Sequence, residues 1–230
     1  MQQKNLAHRL SALGVFLASF IVYYLTLPPA VVFWDVGEFI AAAHMLQVPH
    51  PPGSPFFLLL GRVVTMIPFV TDIAVRAHMI SALSSAITVM LLYLVTVRLI
   101  VSFRGKPVSV FDRLAVYGSS VIGALSLGYG FTFWFSATEA EVYGLSMLFV
   151  ALIVWLIMRW YDHSNEPHNE KYILIIAYLI GLSVGVHLLA VLTIFTVLMI
   201  VYFKRYEINR STFIHWKVGY ISPNYYHSVS

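Results

Sequence analysis

Two carboxylates three residues apart, Asp35 and Glu38, stand in the segment Phe33-Trp34-Asp35-Val36-Gly37-Glu38-Phe39, and His50-Pro51-Pro52-Gly53-Ser54-Pro55 follows soon after. In a chain with only 10% charged residues, this polar stretch between apolar runs needs a physical reason. On a helix, positions i and i+3 share a face with Cβ atoms ~5–6 Å apart. Carboxylates that close can hold one proton between them or bind a cation jointly, and either suits acid/base work. A structural reading stands beside this one and is compatible with it: Asp35 caps an interfacial helix beginning at Val36, and the dipole of that helix favours Glu38 in its first turn. Each proline of the following run fixes its own φ and restrains its predecessor, and Pro55 suits the first turn of a helix. Helix termination and initiation account for the prolines but leave His50 without a duty.

Farther along, Glu139 and Glu141 are i and i+2 and point to different sides of a helix. Thr138 and Glu141 match the Ser/Thr-x-x-Glu capping box ahead of an apolar run, which explains Glu141 structurally and leaves Glu139 unexplained. His187 lies among apolar residues, where an ionisable group is either satisfied inside a bundle or functional. Arg62 and Arg76 either snorkel or meet an anionic phosphate. His44 falls about opposite Asp35 on a helical wheel and reads as interface decoration. No phosphate-cradling glycine loop is visible, and the absence of cysteine excludes disulfides, thiolate catalysis and cysteine metal sites.

The elements that must position these residues are membrane helices. The chain of 230 residues is 60% hydrophobic, its mean hydropathy is +0.82, and its apolar residues come in long runs. The net charge of +4 and pI near 9.3 come from bases scattered between those runs; they build no patch for nucleic acid and read as topology signals. The first run ends at Pro28-Pro29 without a cleavage site and reads as a retained anchor helix, with Tyr23 and Tyr24 at the interface. Phe56 to Phe69 is ~14 residues, or ~21 Å as a helix, too short to cross a ~30 Å core. Tyr172 to Phe203 is ~32 residues, or ~48 Å, too long for one span, with Gly181, Gly185 and His187 where two short helices would meet.

The expected fold is therefore an all-α polytopic integral membrane protein with about six spans and with juxtamembrane helices in its first outer loop. Residues 1–205 form the transmembrane domain, with spans at about 10–27, 73–101, 114–134, 142–160, 172–186 and 188–203. The outer loop is 28–72, and 206–230 is a polar tail. The positive-inside rule holds if Phe56 to Phe69 lies against the outer face. Lys4, Arg9, the 98–113 bases, Arg159, Lys171, Lys204, Arg205 and Arg210 are then cytoplasmic. The same topology gathers Asp35, Glu38, His50, Glu139, Glu141 and His187 at the opposite face.

With these residues in hand, the sequence resembles the GT-C superfamily of membrane glycosyltransferases, in its protein O-mannosyltransferase-like branch. The matching pieces are Trp34-Asp35-Val36-Gly37-Glu38-Phe39, His50-Pro51-Pro52-Gly53, Arg76 followed by Ser81-Ala82-Leu83, Glu139-Ala140-Glu141-Val142-Tyr143, and Gly181-Leu182-Ser183-Val184-Gly185-Val186-His187. The resemblance implies a polyprenyl-phosphate sugar donor, a hydroxyl acceptor on protein or glycan, and an active site on the extracytoplasmic face, with a bacterial inner membrane expected. It implies Asp35 as general base for inverting attack at the anomeric carbon, with Glu38 orienting the acceptor or assisting a divalent cation. Arg76 and His50 would meet the donor phosphate, and Glu139, Glu141 and His187 complete the expected substrate-binding set. No metal ligand set is assigned, and membrane lipids are the surrounding partners. Family members usually run through more spans, so the chain reads as a truncated member. Two other readings stay open: a transporter or channel using Glu139, Glu141 and His187 as pathway groups, and a noncatalytic membrane subunit.

Overall fold

The computed structural model describes residues 2–206, and among these the regular elements are all helical. The expected tail therefore lies almost wholly outside the described residues. In chain order the α-helices are α1 (Gln2–Leu25), α2 (Val36–Met45), α3 (Pro55–Met66), α4 (Ile73–Arg104), α5 (Val110–Gly128), α6 (Phe131–Thr138), α7 (Val142–His163), α8 (Glu170–Val184) and α9 (Thr193–Arg205). A 3-10 turn, Leu188–Leu192, leads into α9. The segments Leu6–Leu25, α4, α5, α7 and Leu188–Arg205 are long and apolar enough to cross a membrane, whereas α8, at 15 residues, is shorter. The chain is an integral membrane protein of the all-α polytopic class.

Helix α4 is the axis of the bundle. Its 32 residues extend ~48 Å, well beyond a ~30 Å hydrocarbon core, which it accommodates by tilting or by extending beyond the core. Asp72 starts it by accepting a hydrogen bond from the Ala74 N–H at 2.7 Å, and Gly105, at φ +81°, lets the chain leave it. Small residues along α4 let its neighbours approach. A Cβ on Gly144 of α7 would stand 3.1 Å from the Ser81 Cα and the Ser85 Oγ, so these two helices meet almost backbone to backbone. On the other side, Val89, Tyr93 and Val97 pack with Ala12 and Val15 of α1 and with Val116 and Ala124 of α5.

Two expectations are corrected here. Tyr23 does not face the membrane: it is fully buried, and its hydroxyl donates to the Gly128 carbonyl at 2.7 Å. Buried, the phenol must find a partner, and the close approach of Gly128 supplies one. The third span does not continue to Trp134. It begins at Val110, behind a capping box in which Ser109 and Asp112 bond each other's main-chain N–H groups, and it stops at Gly128. The chain then bends at Tyr129-Gly130 and starts again as α6.

Helices α2 and α3 form a short pair laid against the N-terminal part of α4, and a Cβ on Gly61 would fall 2.7 Å from that of Ala43. Alternation of the long helices puts the α4–α5 and α7–α8 connections at one end of the bundle, where Arg98 and Asp162 form an ion pair. The α2–α3 pair, the α6–α7 turn and the turn at Gly185–His187 gather at the other.

Candidate functional site

At that end, Asp35, Glu38 and His50 come together. Trp34 sits at φ +65° and turns the chain into α2 at Asp35. Asp35 occupies the N-cap position, but its side chain makes no capping hydrogen bond, so the structural duty expected of it is not performed. The carboxylate is left exposed. Glu38, one turn on, is clamped by His50: the His50 main-chain N–H donates to Oε1 at 2.6 Å, and the ring Nδ1 lies 2.8 Å from Oε2. The other ring nitrogen, Nε2, lies 4.0 Å from Oδ2 of Asp35, and the edge of the ring meets Phe39 at a centroid distance of 5.6 Å. The Glu38 carboxyl is held below its ordinary pKa by the two His50 hydrogen bonds, and the His50 imidazole is raised by its bond to Glu38.

The loop that carries His50 is tied down from below. Its Pro51–Pro52 peptide bond is cis, Gly53 has φ +90°, and Pro55 takes the first turn of α3 as its ring geometry favours. Ser54 does not cap α3; its hydroxyl donates instead to the Val186 carbonyl at 2.9 Å. His187 is thereby brought to the same end of the bundle. Its Nδ1 accepts from the Leu189 N–H at 3.2 Å, and its ring lies 5.5 Å from that of Tyr143.

The Thr138–Glu141 capping box does not form. Thr138 ends α6 and turns its hydroxyl back to the Trp134 and Phe135 carbonyls, while Glu141 precedes α7 without a side-chain cap. Glu139 is buried, with 4% of its surface exposed, and its carboxyl is pushed up to about 7 by burial and by the neighbouring Glu141. Glu141 is raised by burial and by the charge of Asp35, which faces it across the junction of α2 and α7.

Arg76 points elsewhere. Its guanidinium donates to the carbonyls of Val70 at 2.6 Å, Thr65 at 2.9 Å and Thr71 at 3.3 Å, closing the corner between α3 and α4. Arg62 does a similar task on the His44 carbonyl.

One donor atom from each of Asp35, Glu38 and His50 falls within a 4.8 Å span that could hold a divalent cation. Each Glu38 oxygen already accepts one hydrogen bond from His50 and keeps its second lone pair for an ion. The arrangement is closer to an oriented imidazole between two carboxylates than to an open cage. A cavity of about 440 Å³ opens at the α5–α6 bend, lined by Ser85, Phe131, Tyr143, Met147 and Leu189 among others, and it reaches the site residues only through Tyr143, the ring neighbour of His187. Its walls are mainly apolar, and Ser85 Oγ is buried there without a hydrogen-bond partner. Sequence reasoning missed Ser54 and Tyr143. The position of Ser54 among prolines is a usable signal, while Tyr143 gives none beyond its place near Glu141.

A family model described as the protein O-mannosyl-transferase TMEM260 N-terminal domain matches residues 35–210. The Mus musculus protein O-mannosyl-transferase TMEM260 is 32% identical over 173 residues, covering 75% of this chain and 22% of the relative. The Dictyostelium discoideum protein O-mannosyl-transferase tmem260 is 33% identical over 165 residues, covering 69% and 18%. The chain thus spans roughly a fifth of the length of these curated relatives. No solved structure matches it.

Proposed function

The chain belongs to the protein O-mannosyl-transferase TMEM260 N-terminal domain family, and from that premise we propose that it carries the acceptor-activating part of a membrane glycosyltransferase. In this reading a mannosyl group passes from a polyprenyl-phosphate carrier to a hydroxyl of a protein at the extracytoplasmic face, and residues 1–205 hold the acceptor-activating part. The observation that carries the reading is Asp35: an exposed carboxylate, relieved of capping, beside an imidazole locked by Glu38.

The chemistry follows from that placement. Asp35 takes the proton of the acceptor hydroxyl as its oxygen attacks the anomeric carbon. The sugar–phosphate bond breaks with its electron pair on the leaving phosphate, inverting the centre. Glu141 borders Asp35 on the α7 side, and its charge keeps the Asp35 carboxylate a ready acceptor for the proton of an incoming hydroxyl. His187 and Tyr143 form a wall from which the donor's head can be reached. A lipid-linked donor is supported by the mainly apolar cavity next to Tyr143 and by the absence of any phosphate-cradling glycine loop in the sequence. The extracytoplasmic placement is supported by the basic loops, which crowd the opposite end of the bundle.

The test uses the full-length protein in proteoliposomes with a labelled mannosyl polyprenyl phosphate and a Ser/Thr-containing acceptor peptide. Transfer is expected with the native protein and should be lost in Asp35→Asn, with membrane insertion unchanged. Full transfer by Asp35→Asn, or solute flux in the absence of any lipid-linked sugar, would overturn the reading.

A further inference from the structure

Resting on that transfer reading, we propose that His50, oriented by Glu38, is the proton acceptor that receives the acceptor's proton from Asp35 and so returns Asp35 to its working form. His50 is then a proton relay and not a ligand of the donor phosphate.

The geometry points this way on three counts. Nδ1 is 2.8 Å from Glu38 Oε2; a carboxylate can only accept, so Nδ1 carries the hydrogen and the lone pair of the neutral ring is on Nε2. Nε2 faces Asp35 Oδ2 at 4.0 Å. That gap is too long for a hydrogen bond; closing it requires the exposed Asp35 side chain to turn toward the ring, and catalytic hydrogen bonds are commonly long before substrate binds. The residue is also held at three points: its ring Nδ1 on Glu38, its main-chain N–H on Glu38 Oε1 at 2.6 Å, and its ring against Phe39. A residue recruited only to attract phosphate needs no such fixing, and a Glu38 carboxylate bonded to it would cancel much of its charge.

The proton balance closes. The acceptor O–H bond breaks onto Asp35, the resulting carboxylic acid gives its proton to Nε2, and the imidazolium that forms lies against Glu38. Imidazole is intrinsically a stronger base than a carboxylate, so the second transfer runs downhill. The partly exposed ring then releases the proton to water. Charged groups facing the ring are Glu38 and Asp35, both at the start of α2, and Glu141 faces Asp35 from α7. The one charged side chain of α3, Arg62, is turned onto the His44 carbonyl. The relay needs a neutral ring, so transfer should rise with pH through the titration of His50, which Glu38 holds above its ordinary value.

Two substitutions at His50 separate a relay from a phosphate ligand. His50→Asn should cut kcat by about 10²-fold at unchanged donor KM, and His50→Arg should be no better. A raised donor KM with kcat kept, or rescue by His50→Arg, would overturn the relay. Glu38→Gln should move the acid limb of the pH profile of kcat to lower pH, a change that a purely structural defect does not produce. Independently of any activity, NMR of histidine-labelled full-length protein in lipid nanodiscs should show His50 titrating above free histidine, and at lower pH in Glu38→Gln. An unchanged midpoint would sink the relay even if transfer is seen. A shifted midpoint without transfer would instead leave the oriented imidazole standing and remove the transferase reading.

Discussion

Ser54 Oγ donates a hydrogen bond to the Val186 carbonyl at 2.9 Å, joining residues 132 positions apart. Just beyond it the Phe56 N–H donates to the Gly185 carbonyl at 2.7 Å. The loop that ends in His50-Pro51-Pro52-Gly53 is thereby bonded to the turn before His187, so two segments remote in sequence form one floor under the candidate site. Both ends of the first bond are buried, and in that setting an unpaired carbonyl is costly.

Ser54→Ala removes the donor and leaves the Val186 carbonyl buried without it. The expected loss is about 1–3 kcal/mol of stability, read as a lower unfolding midpoint in detergent. Because the floor loosens under both His50 and His187, transfer should weaken as well.

The contact between α4 and α7 gives a second test. A side chain at Gly144 meets the Ser81 backbone and the Ser85 hydroxyl at 3.1 Å, and a main-chain atom cannot step aside as a flexible side chain does. Gly144→Val should therefore cost about 1–3 kcal/mol. A Cβ on Gly118 of α5 would have nothing within 4 Å, so Gly118→Ala should be neutral or stabilising by up to about 1 kcal/mol, from the lower backbone entropy of alanine in the unfolded chain. Thermal unfolding of the two variants side by side checks both.

Much of this architecture is legible in the sequence, because membrane spans announce themselves by apolar length and because Pro55, Asp72 and Gly105 mark helix ends in the ordinary way. The break at Tyr129-Gly130 is easily passed over: Phe131 to Phe135 is as apolar as the span before it, and the marks of the break are Gly130, which starts α6, and Gly128, packed closely on Tyr23 and Val89. The capping box at Thr138 has the right residues at the right spacing, yet α7 starts without it, since local motifs yield to the packing that sets where a helix begins. At the site, Asp35, Glu38 and His50 stand out as candidates by type. That Glu38 grips His50, and that Arg76 spends its donors on the α3–α4 corner, depends on folded backbone positions that no spacing rule encodes.

Sidedness can be read directly, since the native sequence has no cysteine to interfere. Single cysteines at the exposed positions Val48 and Leu188 belong to the site end of the bundle, and one at the exposed Val108 belongs to the opposite end. On sealed cells or vesicles of known orientation, a membrane-impermeant thiol reagent should label the first two from the same side and Val108 only from the other. Labelling of Val48 and Leu188 from different sides would be incompatible with the helix order.

Glu139 should make stability depend on pH in a definite sense. Its carboxyl is pushed from 4.5 up to about 7 because it is buried and Glu141 stands beside it, so the folded state favours the neutral acid. Below about pH 4.5 both folded and unfolded chains hold the proton, and there is no penalty. Between about 4.5 and 7 the unfolded chain has released a proton that the folded one keeps, so stability falls as pH rises and levels off once Glu139 ionises in the fold. Glutamine at this position is neutral throughout. Glu139→Gln should therefore match the native protein at the acid end and unfold at a higher temperature above about pH 7. An unfolding midpoint with the same pH dependence in both proteins would mean that Glu139 is solvated or ion-paired where the structure has it buried. If Glu139→Gln gains stability but loses transfer, the carboxyl is kept for its chemistry at a cost to the fold, which is the pattern expected of a group in an active site.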